Sequence, residues 1–295
     1  MTLPNFFLIG TQKGGTTSVY HYLDQHSEIF MCPEKEPFYF MAEGMENASE
    51  TYITDLNEYA SLFTSVRNEK AIGEATTLYL SCPWVPGRIR ETIGSEVKFI
   101  AILRNPVERA WSHYLMHARK GHPMFSDDFG MAIQQYYSFK RNDEVWEMGF
   151  YNIGLYSEQL KRYFQHFDRE NFLILLFDDL RKDVVSFMQS IYSFLELENT
   201  GFIPDTARRY NEASYYKHKS QILDRFLNKK NLPRSVTKKI LGNKGWNNFS
   251  QWMNAKNTEK PVIDPKIRKQ LNSSYSNEIK ELESMLGRDL SSWLD

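Results

Sequence analysis

Cysteine is nearly absent from this sequence: Cys32 and Cys82 are the only two in 295 residues. Two are too few for a disulfide framework or a four-cysteine metal site, and the scarcity suits a reducing compartment. Long apolar runs are missing too. No stretch approaches the roughly 18 residues of a membrane-spanning helix, and no basic segment precedes the apolar start "LPNFFLIG". The expectation is a cytoplasmic protein without a transmembrane segment. An excess of either charge is also lacking, with 36 Lys and Arg against 37 Asp and Glu. A net charge of -1 gives no overall drive toward nucleic acid or an anionic membrane, so any anion site must be a local cluster. Internal repeats, low-complexity segments and linkers are absent, so residues 1–295 read as a single domain. What is plentiful is aromatic: 20 Phe, 17 Tyr and 6 Trp, which point to a bulky core rather than an aromatic-walled pocket.

The hydrophobic pattern alternates between strand and helix. Phe6 to Gly10 is a short apolar run ended by glycine, and Thr16 to His26 has helical spacing. "VKFIAILRNP", Val97 to Pro106, is a second strand, and Pro106 opens a helix that Gly121 would stop. Then come a helix in "NIGLYSEQLKRYFQHF", a strand in "NFLILLFDDL" and a helix in "VVSFMQSIYSFLEL". This order predicts an α/β fold: a parallel sheet with helices on both faces. From about Tyr210 the chain grows more polar, and the tail "DPKIRKQLNSSYSNEIKELESMLGRDLSSWL" reads as one or two amphipathic helices, a helical C-terminal addition.

Polar residues concentrate at the strand-to-helix junctions. In "GTQKGGTTS" the first strand feeds a helix N-terminus, where unpaired N–H groups and the helix dipole favour an anion. Gly14 and Gly15 allow close backbone approach, Thr16, Thr17 and Ser18 offer hydroxyls, and Lys13 offers charge. A tight turn with ordinary caps explains the Gly and Thr but not the lysine. The nucleoside-triphosphatase loop has the order G-x-x-x-x-G-K-[ST]; here Lys13 precedes the glycine pair and no lysine follows it. At the second junction Arg104 ends a strand and Ser112 lies in the next helix. Arg104 would grip a phosphate with its planar fork, Ser112 would donate a hydroxyl, and the competing use of Arg104 is an ion pair with Glu108.

Taken together, "TQKGGTTS" and "ILRNPVERAWSHYL" resemble the 5'-phosphosulfate loop and the 3'-phosphate site of sulfotransferases that use 3'-phosphoadenosine 5'-phosphosulfate (PAPS). "PEKEPFYF", "GEATTLYLSCPWVPGRI" and "GLYSEQLKRYF...FLILLFDDL" are similar to further segments of the heparan-type members, so the likeness covers most of residues 6–200. The resemblance implies a P-loop-like sheet and PAPS as co-substrate. It also implies a sulfuryl transfer by in-line displacement in which Lys13 stabilises the leaving bridge oxygen and Glu36 serves as general base. Where some relatives carry a histidine two residues after that glutamate, this chain has Phe38, and where heparan-type members follow the later glutamate with lysine it has Ala75. That alanine tells against a polyanionic sugar. The acceptor, a small molecule or a glycan presenting a hydroxyl or amine, stays unassigned, as does the oligomeric state. For a whole protein rather than an excised domain, the lack of an N-terminal anchor in this sequence leads to the expectation that it is not a Golgi-type membrane enzyme.

Glu74, expected at the C-terminal end of a strand Lys70 to Gly73, is a second candidate base because active-site residues gather there in open sheets. In the resemblance, Lys217 and Lys219 of "YYKHKSQ" belong to a basic flap over the nucleotide, with a solvated loop as the alternative. His113 and His117 have metal-ligand spacing on a helix but lack the glutamate of H-E-x-x-H and a third ligand, so no metal site is assigned; His117 is a candidate for assisting proton transfer. "FLILLFDD" looks like the acidic strand of a nucleoside triphosphatase, yet without that family's lysine order it reads as a buried strand with Asp178 and Asp179 capping the next turn. The competing functions are a P-loop kinase or nucleoside triphosphatase, and a nucleotide-binding module without chemistry.

Overall fold

The computed structural model describes residues 1–42, 45, 49, 52–120, 128–142, 144–206 and 261–295, with isolated positions between 217 and 259. The chain divides into two compact units, Met1–Glu212 with Pro265–Asp295, and Ala213–Asp264. In the second unit, Lys217–His218 pairs antiparallel with Thr258–Glu259, and Trp246 is buried. Among the described residues no helix is long and apolar enough to cross a membrane.

The first unit runs β1 (Phe6–Gly10), α1 (Thr16–Leu23), β2 (Ile29–Met31), α2 (Tyr39–Ala42), α3 (Leu56–Ser61), β3 (Ala71–Ala75) and α4 (Val85–Thr92). It continues through β4 (Lys98–Leu103), α5 (Pro106–Lys120), α6 (Phe129–Ala132), β5 (Tyr136–Arg141), β6 (Glu144–Gly149), α7 (Tyr156–Phe164), β7 (Phe172–Leu176), α8 (Phe177–Lys182) and α9 (Val184–Phe194). A long helix, Pro265–Leu286, and a 3-10 turn, Ser291–Leu294, end it.

Five strands form a parallel sheet in the order β2-β3-β1-β4-β7. A strand inside such a sheet is covered on both faces and therefore reads as an unbroken apolar run, as "FFLIG" does. The alternation of β1 separates two cores. Phe6 and Leu8 join Ile100 and Ile102 in a cluster with Val19 and Leu23 of α1 and Met188 and Ile191 of α9. Phe7 stacks on Phe99 and meets Phe40 of α2 edge-on; Phe99 in turn packs against Tyr163 of α7. Helices thus flank the sheet on both faces.

The chain leaves β1 toward β2 on one side and leaves β4 toward β7 on the other. Neighbouring parallel strands with oppositely directed connections open a crevice at their C-terminal ends, the usual place for a ligand in an open α/β sheet.

Several elements differ from the sequence reading. α1 stops at Leu23, three residues short of His26. The helix expected from Asn152 is a 3-10 turn, Asn152–Gly154, separated from α7 by Leu155. β7 ends at Leu176, so Asp178 and Asp179 lie in the first turn of α8 and neither caps it; Asp179 pairs with Arg288 at 2.6 Å. The cap belongs to Asp183, whose carboxylate accepts from the N–H groups of Val185 and Ser186 on α9. The sequence reading contains no counterpart of the hairpin β5–β6: its strands pair Phe139 with Trp146, but their exposed residues mix Tyr136 and Val145 with Ser138, Lys140 and Glu147, and no glycine marks the turn.

Candidate active site

The sequence-predicted residues of the first unit come from four successive junctions at the C-terminal edge of the sheet: Lys13 after β1, Glu36 after β2, Glu74 at the end of β3 and Arg104 after β4. Strand polarity alone brings them to one edge.

The β1–α1 loop is shaped by its glycines for two different reasons. A Cβ on Gly14 would fall 2.4 Å from the Ile102 carbonyl oxygen of β4 and 2.9 Å from that of Thr11, so its close approach is to the sheet's own backbone. Gly15 stands at φ 89° as the N-cap of α1 and has no side chain to cap it. The first-turn N–H groups of Thr16 and Thr17 are therefore left without a capping side chain, which is the arrangement an anion completes. Lys13 also takes the left-handed conformation, φ 72°, costly for a residue with a Cβ. Its ammonium reaches the Met116 sulfur of α5 at 3.9 Å.

Arg104 ties this loop to the second junction. Its Nη1 donates to the Lys13 carbonyl at 3.1 Å, and its guanidinium lies 4.9 Å from the centre of the Phe177 ring. Burial lowers its pKa from the ordinary arginine value, a cost that an anionic ligand would relieve. Glu108 is a distant partner at 3.9 Å and is itself engaged by Arg268, so the ion pair weighed from the sequence does not use up Arg104. Ser112 lies on the same helix as Glu108 and is 8% exposed.

Glu36 is a second non-glycine residue in the left-handed region, φ 65°. Its N–H donates to the Ala75 carbonyl at the end of β3, and its carboxylate accepts from Thr77 Oγ1 at 2.7 Å and Lys35 Nζ at 3.2 Å. With its side chain 29% exposed, it keeps access to a ligand. Glu74 is wholly enclosed. It accepts from Tyr59 OH at 2.8 Å and Thr76 Oγ1 at 2.6 Å, yet burial outweighs these donors and, with the nearby Glu36 charge, pushes its pKa up to about 7.

Of the proposed flap, Lys217 lies in the second unit and Lys219 falls outside the described residues. Sequence reasoning passed over Arg109, Tyr59, Thr77 and Phe177. Only Arg109 left a signal, standing four and eight residues before His113 and His117 on α5. The others are brought in by contacts between elements.

Helix N–H groups without a capping side chain after β1 and an arginine after β4 lie side by side where the connections of a parallel α/β sheet diverge. The sequence as a whole assigns the family: the sulfotransferase domain pattern matches residues 3–283, and the chain belongs to that family. A crystal structure of a sulfotransferase from Alicyclobacillus acidocaldarius is similar over 100% of both chains, with a TM-score of 0.72 and 27% identity. Membrane-associated sulfotransferase kil1 of Dictyostelium discoideum is 40% identical over 114 residues, 39% of this chain and 23% of that protein. Carbohydrate sulfotransferase 15 of Rattus norvegicus is 26% identical over 250 residues, 66% of this chain and 44% of that protein. The chain thus spans less than half the length of these two curated relatives.

Proposed function

We propose that this chain transfers the sulfuryl group of PAPS to a hydroxyl or amine of an acceptor. The hydrogen bond from Arg104 to the Lys13 carbonyl carries this reading, because it joins the two anion-binding junctions into one surface. A ligand bearing both a phosphosulfate and a second phosphate matches that surface. The uncapped start of α1, with Gly14, Gly15, Thr16, Thr17 and Ser18, would hold the 5' anion, and Arg104 and Ser112 the 3'-phosphate. The co-substrate supplies the activated sulfuryl group. Lys13 places a positive charge where negative charge grows on the departing oxygen, an interaction stronger in the transition state than before it. Glu36, held by Thr77 and Lys35 but still accessible, accepts the acceptor's proton. Glu74 is the lesser candidate for base, since its carboxyl is enclosed and already accepts from Tyr59 and Thr76. No step calls for a metal ion.

Isothermal calorimetry with adenosine 3',5'-bisphosphate against ADP, each with and without Mg²⁺, tests the donor. Preference for the 3',5'-bisphosphate without Mg²⁺ is expected; the reverse would indicate a nucleoside triphosphatase. Lys13→Ala should lower kcat by roughly 10²–10³ with little change in nucleotide affinity. Arg104→Ala should instead weaken the bisphosphate by more than about tenfold, the loss of one charge-assisted contact. Equal losses of affinity and turnover in both variants would sink this division of roles. Glu36→Gln should cost roughly 10²–10⁴ in kcat. Relatives named carbohydrate sulfotransferase 15 and heparan sulfate glucosamine 3-O-sulfotransferase 6 put saccharide hydroxyls first in a labelled-PAPS acceptor screen.

A further inference from the structure

One row of α5 carries a polar chain that the proposed reaction does not use. Arg109, His113 and His117 follow one another at intervals of four, on one face of the helix. Arg109 is fully buried, His113 is 4% exposed and His117 is half-buried. Arg109 Nη2 donates to the Phe150 carbonyl, and its Nη1 lies 3.3 Å from His113 Nδ1. His113 Nε2 lies 3.0 Å from His117 Nε2. The Phe150 ring meets both imidazoles, His113 at 4.7 Å and His117 at 5.8 Å between centroids.

These distances leave one arrangement of protons. A guanidinium only donates, so His113 Nδ1 must present its lone pair to Arg109. His113 then carries its single proton on Nε2 and donates it to His117 Nε2. That nitrogen must in turn be bare, which leaves the proton of His117 on Nδ1. A second proton on either ring would set N–H against N–H. The charged and titratable groups facing His113 favour the neutral form: Arg109 and His117 along α5 and Lys13 from the β1–α1 loop all oppose a further positive charge. Burial acts first and in the same direction, holding His113 well below the usual histidine range. The chain also borders the site, since Met116, beside His117, receives the Lys13 ammonium.

We infer that Arg109 and His113 are positioning residues that lock His117, on the helix whose Met116 receives the Lys13 ammonium, as a neutral, Nδ1-protonated imidazole whose Nε2 lone pair is engaged by His113, so that it cannot act as base. The inference deepens the sulfuryl-transfer reading, by leaving acceptor deprotonation to a carboxylate. The tautomer lock itself stands on the free protein.

Imidazole ¹⁵N NMR of the ligand-free protein tests the lock without any acceptor. Wild type should show bare Nδ1 and protonated Nε2 on His113, with the opposite pattern on His117. His113→Phe should abolish that pattern on His117, lower kcat about tenfold and make turnover newly sensitive to pH between about 5 and 8. His113→Gln, whose amide can accept from Arg109 and donate to His117, should keep the His117 tautomer and stay within about threefold of wild-type kcat. A proton on His117 Nε2 in wild type, an unchanged His117 tautomer in His113→Phe, or joint displacement of both Nε2 signals by added Zn²⁺ would overturn the inference. If His113→Phe does not fold, the wild-type and His113→Gln spectra decide it. An intact lock with no sulfuryl transfer to any acceptor would count against the proposed reaction and not against the lock.

Discussion

At the scale of single residues, the site contains two carboxylates treated in opposite ways. Glu36 is partly exposed and strained, whereas Glu74 is enclosed by Tyr59 and Thr76 and has its pKa raised to about 7. A carboxyl with a raised folded-state value contributes fully while protonated in both states, below about pH 4.5, and that contribution is lost as pH rises through about 7. A displacement from 4.5 to about 7 corresponds to roughly 3 kcal/mol. Glu74→Gln, which keeps the size of the group and carries no titrating proton, should therefore flatten the fall in stability between pH 5 and pH 8. Urea midpoints for wild type and variant at the two pH values check this; parallel changes in both would show that Glu74 is not the titrating group. Lys13, Arg104 and Ser112 stand out in the sequence because they lie at or just after strand-to-helix junctions, whereas Glu36 stands out only through the resemblance of "PEKEPFYF" to the sulfotransferase family. Tyr59 and Thr77 do not, because their roles exist only where α3 and the segment after β3 meet the two carboxylates.

At the scale of elements, the β1–α1 loop combines an uncapped helix start with a glycine that no other residue can replace. Adding a methyl at Gly14 forces backbone against backbone, at 2.4 Å from Ile102 O and 2.9 Å from Thr11 O. Gly14→Ala should destabilise by roughly 1–3 kcal/mol through overpacking, and should weaken the 3',5'-bisphosphate by moving Lys13. Thermal melts and calorimetry on the same sample measure both effects. Normal stability with normal affinity would contradict the close approach. Strands β1, β4 and β7 were legible as apolar runs, since a strand buried on both faces leaves a continuous signal. The end of β7 was not, because "FDDLRK" continues the chain as α8 and no proline or glycine marks the change. The β5–β6 hairpin escaped notice for a similar reason: residues such as Tyr136, Val145 and Glu147 face solvent on a two-stranded ribbon, so its pattern has no strong apolar face.

At the scale of the whole molecule, aromatic packing rather than ion pairing holds the first unit together. Phe99 on β4 contacts Phe7, Tyr163, Phe167 and Phe172, with centroids between 4.6 and 6.0 Å. Phe99→Ala should cost roughly 3–5 kcal/mol in urea unfolding. Arg288→Ala, which breaks a half-exposed pair with Asp179, should cost about 1 kcal/mol or less. Comparable losses in the two variants would overturn that ranking.

By itself the sequence determined the α/β alternation, the lysine set before its glycine pair and the arginine after a second strand. Each is a local pattern that follows from burial or from the needs of a helix terminus. Only the tertiary structure decided that Arg104 binds the Lys13 carbonyl, that Glu74 is sealed while Glu36 is open, and that Arg109 sets the protons of two histidines. The first two depend on strand order and on approach between segments up to 91 positions apart, as for Lys13 and Arg104, which no local pattern encodes. The third has a local i, i+4 spacing but needs the Phe150 carbonyl, 41 positions from Arg109, to hold the guanidinium.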